Sequence, residues 1–280
     1  MGKLKGIALT IGLNSVDAEH YDGWDGKLVA CEFDAKDMAN IAENAGFQVK
    51  TLLTRDANRK NVIDEISKAA SDLQPGDIFM LSYSGHGGQI LDLNQDEYDR
   101  RDETWCLYDA QLIDDETHYL LSTFKSGVRI LTFSDSCHSG SVIKAAGFEK
   151  NRLKDEFRER RIKCLPELYE DRVYEKNKVF YDKLANKQLI GSIKNVKASA
   201  LLISGCMDSQ VSFDGDRNGL YTGTLRSVWD NGNFEPSGQY EGYRAFHKAI
   251  LDHMPFEQTP VYFRVGTENL EFEKQKPFTI

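Results

Sequence analysis

The sequence lacks the features that would assign it at once to several classes of protein. No apolar run approaches the roughly 20 residues that a membrane-spanning helix requires. Its five cysteines are odd in number and not closely paired, and neither a CxxC nor an HExxH spacing occurs, so a disulfide framework and a zinc site have little support. Basic residues are in the minority: the net charge is −9, which argues against nucleic acid as a partner.

What is present is an ordinary globular composition. The chain has 280 residues, of which 40% are hydrophobic and 28% are charged, enough for one large domain or two small ones. The stretch Met1–Lys5 leads directly into a strand-like run, without the apolar core of a signal peptide. Because unpaired cysteines suit a reducing compartment, we expect a cytoplasmic protein. The lack of a long apolar run predicts no membrane partner.

Apolar runs alternate with segments of helical spacing along the chain. Strands are predicted at Gly6–Leu13, Phe47–Leu53, Asp77–Tyr83, Val128–Phe133, Ala200–Ser204 and Thr259–Val265. Helices are predicted at Leu28–Asn44 and Asn58–Leu73. This alternation indicates an α/β fold with a mostly parallel sheet.

Two charged segments interrupt the alternation. Residues 87–119 hold ten acidic and two basic residues, a balance of −8. Residues 150–197 hold 14 Lys and Arg against 8 Asp and Glu, a balance of +6, and only one short helix is predicted there, at Arg152–Arg161. We interpret this second, polar segment as an exposed linker or insertion within the domain.

Two glycine-rich motifs follow neighbouring predicted strands. The sequence YSGHGGQ places His86 just after one strand, and FSDSCHSG places Cys137 just after the next. Ligands of parallel sheets bind beyond the carboxyl ends of the strands, so both side chains are expected at the same edge of the sheet. The glycines would let the backbone approach a substrate closely.

A thiol and an imidazole at one sheet edge indicate nucleophilic catalysis. Cysteine attacks a carbonyl as the thiolate, and histidine is the natural base at neutral pH. The oxyanion that forms needs backbone N–H donors, for which the amides of Gly87 and Cys137 are the candidates. Either side chain alone is more simply interpreted as packing or a surface hydrogen bond. Their separation of 51 residues is close to the His–Cys spacing of caspase-type proteases.

The two motifs resemble, almost letter for letter, the catalytic motifs of metacaspases, the caspase-fold cysteine peptidases of bacteria, plants, fungi and protists. The resemblance is strongest over Gly6–Gly140 and continues through SALLISGCMDSQVSFD and NGLYTGTL, which are similar to the family's small-subunit region. It implies a single domain: a caspase-like three-layer sandwich with a central, mostly parallel sheet of about six strands. Residues 1–145 would correspond to the large subunit, 146–197 to a basic linker or insertion, and 198–280 to the small subunit.

The resemblance implies Cys137 as the nucleophile and His86 as its base. His138 is a rival base, but adjacent residues on an element point in different directions, which favours His86. Legumain-like and separase-like enzymes share the His–Cys pair, yet the spelling of the motifs and the early pair Cys31 and Asp34 favour the metacaspases.

The resemblance also implies a pocket for P1, the residue whose carbonyl is attacked. The family's pocket residues match Cys31, Asp34, Ser84 and Asp135. Asp37, one helical turn later, is the weaker alternative to Asp34. Two carboxylates would repel an acidic P1 side chain and attract Arg through bidentate pairing or Lys as a point charge. The expected function is therefore a cysteine endopeptidase that cleaves proteins or peptides after Arg or Lys. The resemblance further implies that it acts as a monomer.

No cofactor is required by this chemistry, but many metacaspases are activated by calcium. The family's calcium ligands match Asp102, Asp114 and Asp115. A further aspartate is expected seven residues beyond the nucleophile, where this sequence has Lys144. A weakened calcium site and a solvated acidic loop both stay open.

Basic residues beyond the nucleophile are candidate processing sites, because exposed segments are preferred targets of proteolysis. They are Lys144, Lys150, Arg152, Arg158, Arg160, Arg161 and Lys163. Cleavage by the enzyme itself or by an upstream protease would make the intact chain a zymogen, whereas a merely charged insertion would not be cut. Two further functions stay open: a catalytically silent caspase-fold scaffold and a calcium-responsive binding module.

Overall fold

A computed structural model describes residues 3–91, 101–137, 161–188, 195–207 and 210–280 of the chain. In chain order its strands are β1 (Gly6–Gly12), β2 (Gln48–Leu53), β3 (Ile78–Ser84), β4 (Gly87–Leu91), β5 (Arg101–Cys106), β6 (Gln111–Ile113), β7 (Arg129–Asp135), β8 (Ser199–Ser204) and β9 (Val261–Gly266). Its α-helices are α1 (Cys31–Asn44), α2 (Arg59–Asp72), α3 (Asp114–Ser122), α4 (Glu167–Lys176), α5 (Lys178–Gln188), α6 (Leu220–Trp229), α7 (Gly242–His253) and α8 (Leu270–Lys274).

Six strands form the central sheet, in the order β2-β1-β3-β7-β8-β9. All neighbours are parallel except β9, which runs antiparallel to β8. Every residue of β3 is buried, as expected for a central parallel strand that is covered on both faces. The prediction of a mostly parallel sheet of about six strands is confirmed.

Helices cover both faces of this sheet and complete three layers. Phe79 and Leu81 of β3 belong to one core, together with Val62 and Ile66 of α2. The intervening Met80 faces the other core, which α1, α6 and α7 close. Successive residues of a strand point to opposite faces, so the apolar run of β3 contributes to both cores.

A second, antiparallel sheet of three strands, β4-β5-β6, lies in the acidic segment 87–119. From the sequence, only a charged interruption was predicted there. The difference arises because two inward positions of β5 are the polar Asp102 and Thr104, which are buried. Thr104 donates its hydroxyl hydrogen to Gln111 Oε1 at 2.6 Å, so the buried polar group is satisfied without apolar alternation.

The basic segment was expected to be exposed, and this expectation is wrong for much of its described part. Lys163 and Leu165 are completely buried, and α4 and α5 contribute Val173, Tyr174 and Tyr181 to an apolar cluster. These three side chains are spaced among so many charged residues that the helical period is weak in the sequence. The predicted helix at Arg152–Arg161 lies almost wholly outside the described residues, as do His138, Lys144, Lys150, Arg152, Arg158 and Arg160.

None of the helices in the described ranges is both long enough and apolar enough to cross a membrane.

Candidate active site

The two glycine-rich motifs meet at one edge of the central sheet. β3 and β7 are parallel neighbours, and Ser84 pairs in register with Asp135. His86 and Cys137 each lie two residues beyond that pair, so the two strands deliver them to the same end of the sheet. The amide of Gly87, which follows His86, and the amide of Cys137 both donate to the carbonyl oxygen of Lys163, each at 3.1 Å. The two candidate oxyanion donors therefore converge on one point.

The imidazole of His86 is held in one tautomer. Its Nε2 lies 2.9 Å from the carbonyl oxygen of Gly26, and because a carbonyl only accepts, Nε2 carries the hydrogen. Burial lowers the pKa of His86 to about 4, against a smaller opposing effect of this hydrogen bond, so the ring is neutral near pH 7. Nδ1 is then the basic nitrogen, and it has no hydrogen-bond partner among the described residues.

Gly26 is a residue of the candidate site that was not predicted from the sequence. Its φ of +54° lies in the left-handed region, and a Cβ there would stand 2.9 Å from the ring of Trp24 and 3.1 Å from Cδ2 of His86. A glycine is thus needed to bring this carbonyl to the imidazole. Trp24 packs its ring edge-on against His86, with centroids 4.6 Å apart. The glycine itself was the only signal in the sequence, and glycine is too common for a single one to indicate a site residue.

Cys137 is fully buried at the end of β7. Its Sγ donates to the carbonyl oxygen of Gln210 at 2.8 Å. The side chain of Cys164 hydrogen-bonds Cys137, and this contact, with burial, raises the pKa of the Cys164 thiol. The backbone of Cys164 also lies close enough to the ring of His86 to raise its pKa slightly, against the larger effect of burial. The peptide that follows Lys163 therefore lies against both members of the predicted dyad.

The predicted P1 pocket holds an ammonium group that the protein itself supplies. Nζ of Lys163 lies 3.0 Å from Asp34 Oδ2, 2.9 Å from Asp135 Oδ2 and 2.9 Å from Ser84 Oγ. The thiol of Cys31, the fourth predicted pocket residue, hydrogen-bonds Ser84 and interacts with the same ammonium. The structure thus brings together all four residues around one cation.

The charges in this pocket determine the protonation state of Lys163. Burial alone would lower the pKa of Lys163, but the carboxylates of Asp135 and Asp34 outweigh it and hold this pKa well above the usual value. Burial raises the pKa of Asp34, and Lys163 partly opposes that rise. The lysine is therefore charged, and its three N–H donors match the three acceptors.

Neighbouring groups orient the two carboxylates. The amide of Gly219 donates to both oxygens of Asp34, at 3.0 and 3.2 Å. Ser212 Oγ donates to Asp135 Oδ1 at 2.5 Å, and Thr222 Oγ1 donates to Asp135 Oδ2 at 2.8 Å. These bonds leave the carboxylates aimed at a common centre.

Gly219 also determines the size of the pocket. A Cβ at this position would lie 2.2 Å from Nζ of Lys163 and 2.5 Å from Asp135 Oδ2. The first glycine of NGLYTGTL was assigned no role from the sequence. Asp37, the weaker alternative for the pocket, is engaged elsewhere, with the side-chain amide of Asn218 at 2.8 Å and Arg226 at 3.1 Å.

The backbone bends at Lys163 and forms single bridges to neighbouring segments on either side of it, at Ile162 and Cys164. The amide of Lys163 donates to Ser212 O at 2.9 Å, and the amide of Asp214 donates to Arg161 O at 2.8 Å, an antiparallel pairing centred on Ile162. Beyond the site, the amide of Leu165 donates to Gly87 O at 2.7 Å. The segment is therefore held on both sides of the Lys163–Cys164 peptide bond.

The three aspartates predicted to bind calcium do not form a ligand cluster in the described residues. Asp102 is buried in β5, whereas Asp114 is exposed at the start of α3 beside the half-buried Asp115. Across the described ranges, no group of three or more His, Cys, Asp or Glu side chains could hold a metal ion.

Comparison with known proteins places the chain in a family. It matches the family model of the caspase domain over residues 5–270. Metacaspase-1 of Schizosaccharomyces pombe is 31% identical over 272 residues, which cover 80% of this chain and 58% of that protein. Metacaspase-1 of Saccharomyces cerevisiae is 30% identical over 250 residues, which cover 78% of this chain and 56% of that protein. The chain spans a little over half the length of these relatives.

Solved structures agree in fold. A crystal structure of a Geobacter sulfurreducens protein matches with a TM-score of 0.88 and 52% identity over 99% of each chain. Caspase-1 of Spodoptera frugiperda is similar in fold alone, with a TM-score of 0.55 and 12% identity over 94% of this chain and 87% of that one. With the family model matched over nearly the whole sequence, the chain belongs to the caspase-domain family and is similar to its metacaspases.

Proposed function

We propose that the chain is a cysteine endopeptidase that cleaves after Lys or Arg, and that its first substrate is its own Lys163–Cys164 bond. One observation carries the proposal. The ammonium of Lys163 lies between Asp34 and Asp135 while its carbonyl oxygen accepts from two amides beside the His–Cys pair. A segment bound in this way has the arrangement that a substrate would need.

The proposed reaction begins when His86 Nδ1 takes the proton of the Cys137 thiol. Sγ attacks the carbonyl carbon of Lys163, and the amides of Gly87 and Cys137 stabilise the negative oxygen. The C–N bond to Cys164 breaks, and the leaving amine takes the proton from His86. A water molecule then attacks the thioester between Cys137 and Lys163, which frees the Lys163 carboxyl group and restores the thiol.

The same contacts explain why the intact chain would be a zymogen. Lys163 fills the P1 pocket and is 0% exposed, so another substrate cannot enter until the segment moves. Cleavage would free the new carboxyl end to leave the pocket. Arg161, another processing candidate, has its carbonyl bonded to the amide of Asp214, away from the two oxyanion amides. Among the described candidates, the proposal therefore favours Lys163 as the cleaved residue.

Intact-protein mass spectrometry tests the proposal. The wild type should yield two fragments, 1–163 and 164–280, and both Cys137→Ala and Lys163→Ala should remove this cut. Lys178→Ala, at an exposed lysine of the same segment, is the matched control and should be cut like the wild type. The same cut in the Cys137→Ala protein would point to an upstream protease instead.

A fluorogenic peptide with Lys or Arg at P1 separates the proposal from its alternatives. Turnover that is lost in Cys137→Ala supports the peptidase. Absence of turnover under all conditions would support a silent scaffold, and a melting temperature shifted by calcium without turnover would support a binding module. We expect equal rates in calcium and in chelator, because every donor in the proposed reaction belongs to this chain.

We further propose a cytoplasmic monomer. All five cysteines lie in the described residues, all are buried, and none forms a disulfide. Light scattering coupled to gel filtration would test the monomer, and location by fractionation would test the compartment.

A further inference from the structure

The segment that crosses the site carries a second cation, two residues before Lys163. Nε of Arg161 donates to Asp214 Oδ2 at 2.8 Å, and Nη2 donates to the carbonyl oxygen of Gly215 at 2.9 Å. Asp216 adds a longer contact, at 3.5 Å from Nη2. If Lys163 occupies P1, Arg161 occupies P3, and its guanidinium meets acceptors from one short stretch of chain.

Asp214 is built into the fold as a fixed, buried carboxylate. Its side chain is 0% exposed, and it accepts from the amide of Val29 at 2.9 Å and from the amide of Ala30 at 3.0 Å. Ala30 immediately precedes α1, the helix that carries Asp34 of the P1 pocket. The P1 pocket and the carboxylate of Asp214 are thus held by the same helix start, at a defined spacing.

The pairing of backbones fixes which substrate position faces Asp214. Its own amide donates to Arg161 O at 2.8 Å, so the residue that Asp214 binds by its backbone is also the one whose side chain it binds. Between the two cations, Ile162 packs against the apolar cluster that contains Phe213 and Val211. The site therefore presents an acid, an apolar surface and an acid to three successive substrate residues.

We propose that Asp214 is a specificity-determining residue that selects a basic side chain at P3, so that preferred substrates read basic–apolar–Lys or Arg before the cut. The inference rests on the proposed function and deepens it by naming a second recognised position. A neutral P3 side chain would leave the buried carboxylate with only its two amide donors, and an acidic one would repel it. The side chain of Arg161 is 38% exposed, and solvent weakens its ion pair with Asp214. The carboxylate of Asp214 is buried, however, and accepts a charge-assisted hydrogen bond from the guanidinium.

Peptide kinetics with the full-length, self-cleaved protein test the inference. Four fluorogenic peptides share Ile at P2 and Lys at P1 and differ only at P3: Arg, citrulline, Gln or Glu. Citrulline keeps the shape of arginine without its charge. We expect kcat/KM to be about tenfold higher or more for Arg than for citrulline or Gln, and lowest for Glu.

Variants assign the effect to one carboxylate. In Asp214→Asn the ratio of kcat/KM between the Arg and Gln peptides should fall towards one, while Lys should still be preferred to Ala at P1. Asp216→Asn is the matched control, and because Asp216 is exposed its ratio should fall much less. If Asp214→Asn does not fold, the citrulline peptide with the wild type still decides the question.

Two failures are distinguishable. Equal kcat/KM for all four P3 side chains, with a strong preference for Lys at P1, would overturn the role of Asp214 and leave the proposed function standing. No turnover of any peptide would overturn the proposed function, and this inference with it.

Discussion

Nζ of Lys163 lies 2.9 Å from Oδ2 of Asp135, and neither side chain is more than 2% exposed. A lysine is almost never fully buried without a partner. Here the partners are the two carboxylates proposed to bind the P1 side chain of other substrates. The intact chain is therefore stabilised by the same charges that its proposed activity would use.

Replacement of Lys163 by methionine should destabilise the intact protein by about 3–5 kcal/mol, because two buried carboxylates lose their shared cation. Without that cation the pKa of Asp34 should rise further, since burial and Asp135 raise it while Lys163 lowers it. The loss should thus be largest at neutral pH and shrink as falling pH protonates one carboxyl group. Urea unfolding at several pH values, in a Cys137→Ala background that prevents cleavage, measures this.

The double variant Asp34→Asn, Lys163→Met is the control, and it should recover part of the lost stability because only one carboxylate remains. A loss in Lys163→Met that is the same at every pH would contradict the electrostatic explanation.

Replacement of Gly219 by alanine should close the P1 pocket. The new Cβ would lie 2.2 Å from the position of Nζ, so a Lys or Arg side chain cannot reach both carboxylates. We expect loss of the cut after Lys163 and at least an approximately hundredfold fall in peptide kcat/KM, equivalent to about 2.8 kcal/mol.

Gly223→Ala is the matched control, since among the described residues its Cβ would meet only the Cβ of Asn218, at 3.4 Å. Circular dichroism would show that both variants fold. Normal cleavage by a folded Gly219→Ala protein would rule out the pocket described.

The inner strands of the central sheet were predictable because they are buried on both faces and are rich in apolar residues, as in β3. β5 was not predictable in this way, because buried Asp102 and Thr104 remove the apolar alternation. The helices α4 and α5 were also not predicted, because their few core side chains are separated by many charged residues and the helical period is weak.

At the site, the motifs around His86 and Cys137 could be found because glycines and serines cluster there. The burial of Lys163 could not, since its partner Asp34 is 129 residues away and only the folded chain joins them. The proposed role of Asp214 could not be predicted for a related reason: it depends on which residue of the basic segment lies beside Asp214 in the folded chain.

Protein stability should rise with pH between about 4 and about 6.5, partly through His86. Burial lowers the pKa of His86 to about 4 in the folded state, whereas the unfolded value is about 6.5. The unfolded state therefore binds more protons in this window, and stability is lost as pH falls through it. His86→Gln should flatten this dependence.

The measurement is the free energy of unfolding at pH 4.5 and pH 7, in the Cys137→Ala background with and without His86→Gln. His20, whose pKa burial also lowers to about 4, contributes equally to both proteins and cancels in the comparison. Identical slopes for the two proteins would show that His86 is not buried as a neutral imidazole.

After cleavage at Lys163, the two fragments should stay together as one particle of about the intact mass, 31.8 kDa. Leu165, just beyond the cut, is completely buried in an apolar cluster with Ile90 and Ile113 of the first fragment, and the amide of Leu165 is bonded to Gly87. Burial of three such side chains contributes roughly 1.5–3 kcal/mol each, and β8, on the second fragment, also pairs with β7 on the first.

Gel filtration of the cleaved wild type should give one peak containing both fragments, which separate only in denaturant. Leu165→Asp should lower the urea concentration at which they separate, because it places a charge in the apolar cluster, whereas Leu168→Asp, at a side chain that is 68% exposed, should not. Separate elution of the wild-type fragments in native buffer would mean that the segment after the cut is not anchored as described.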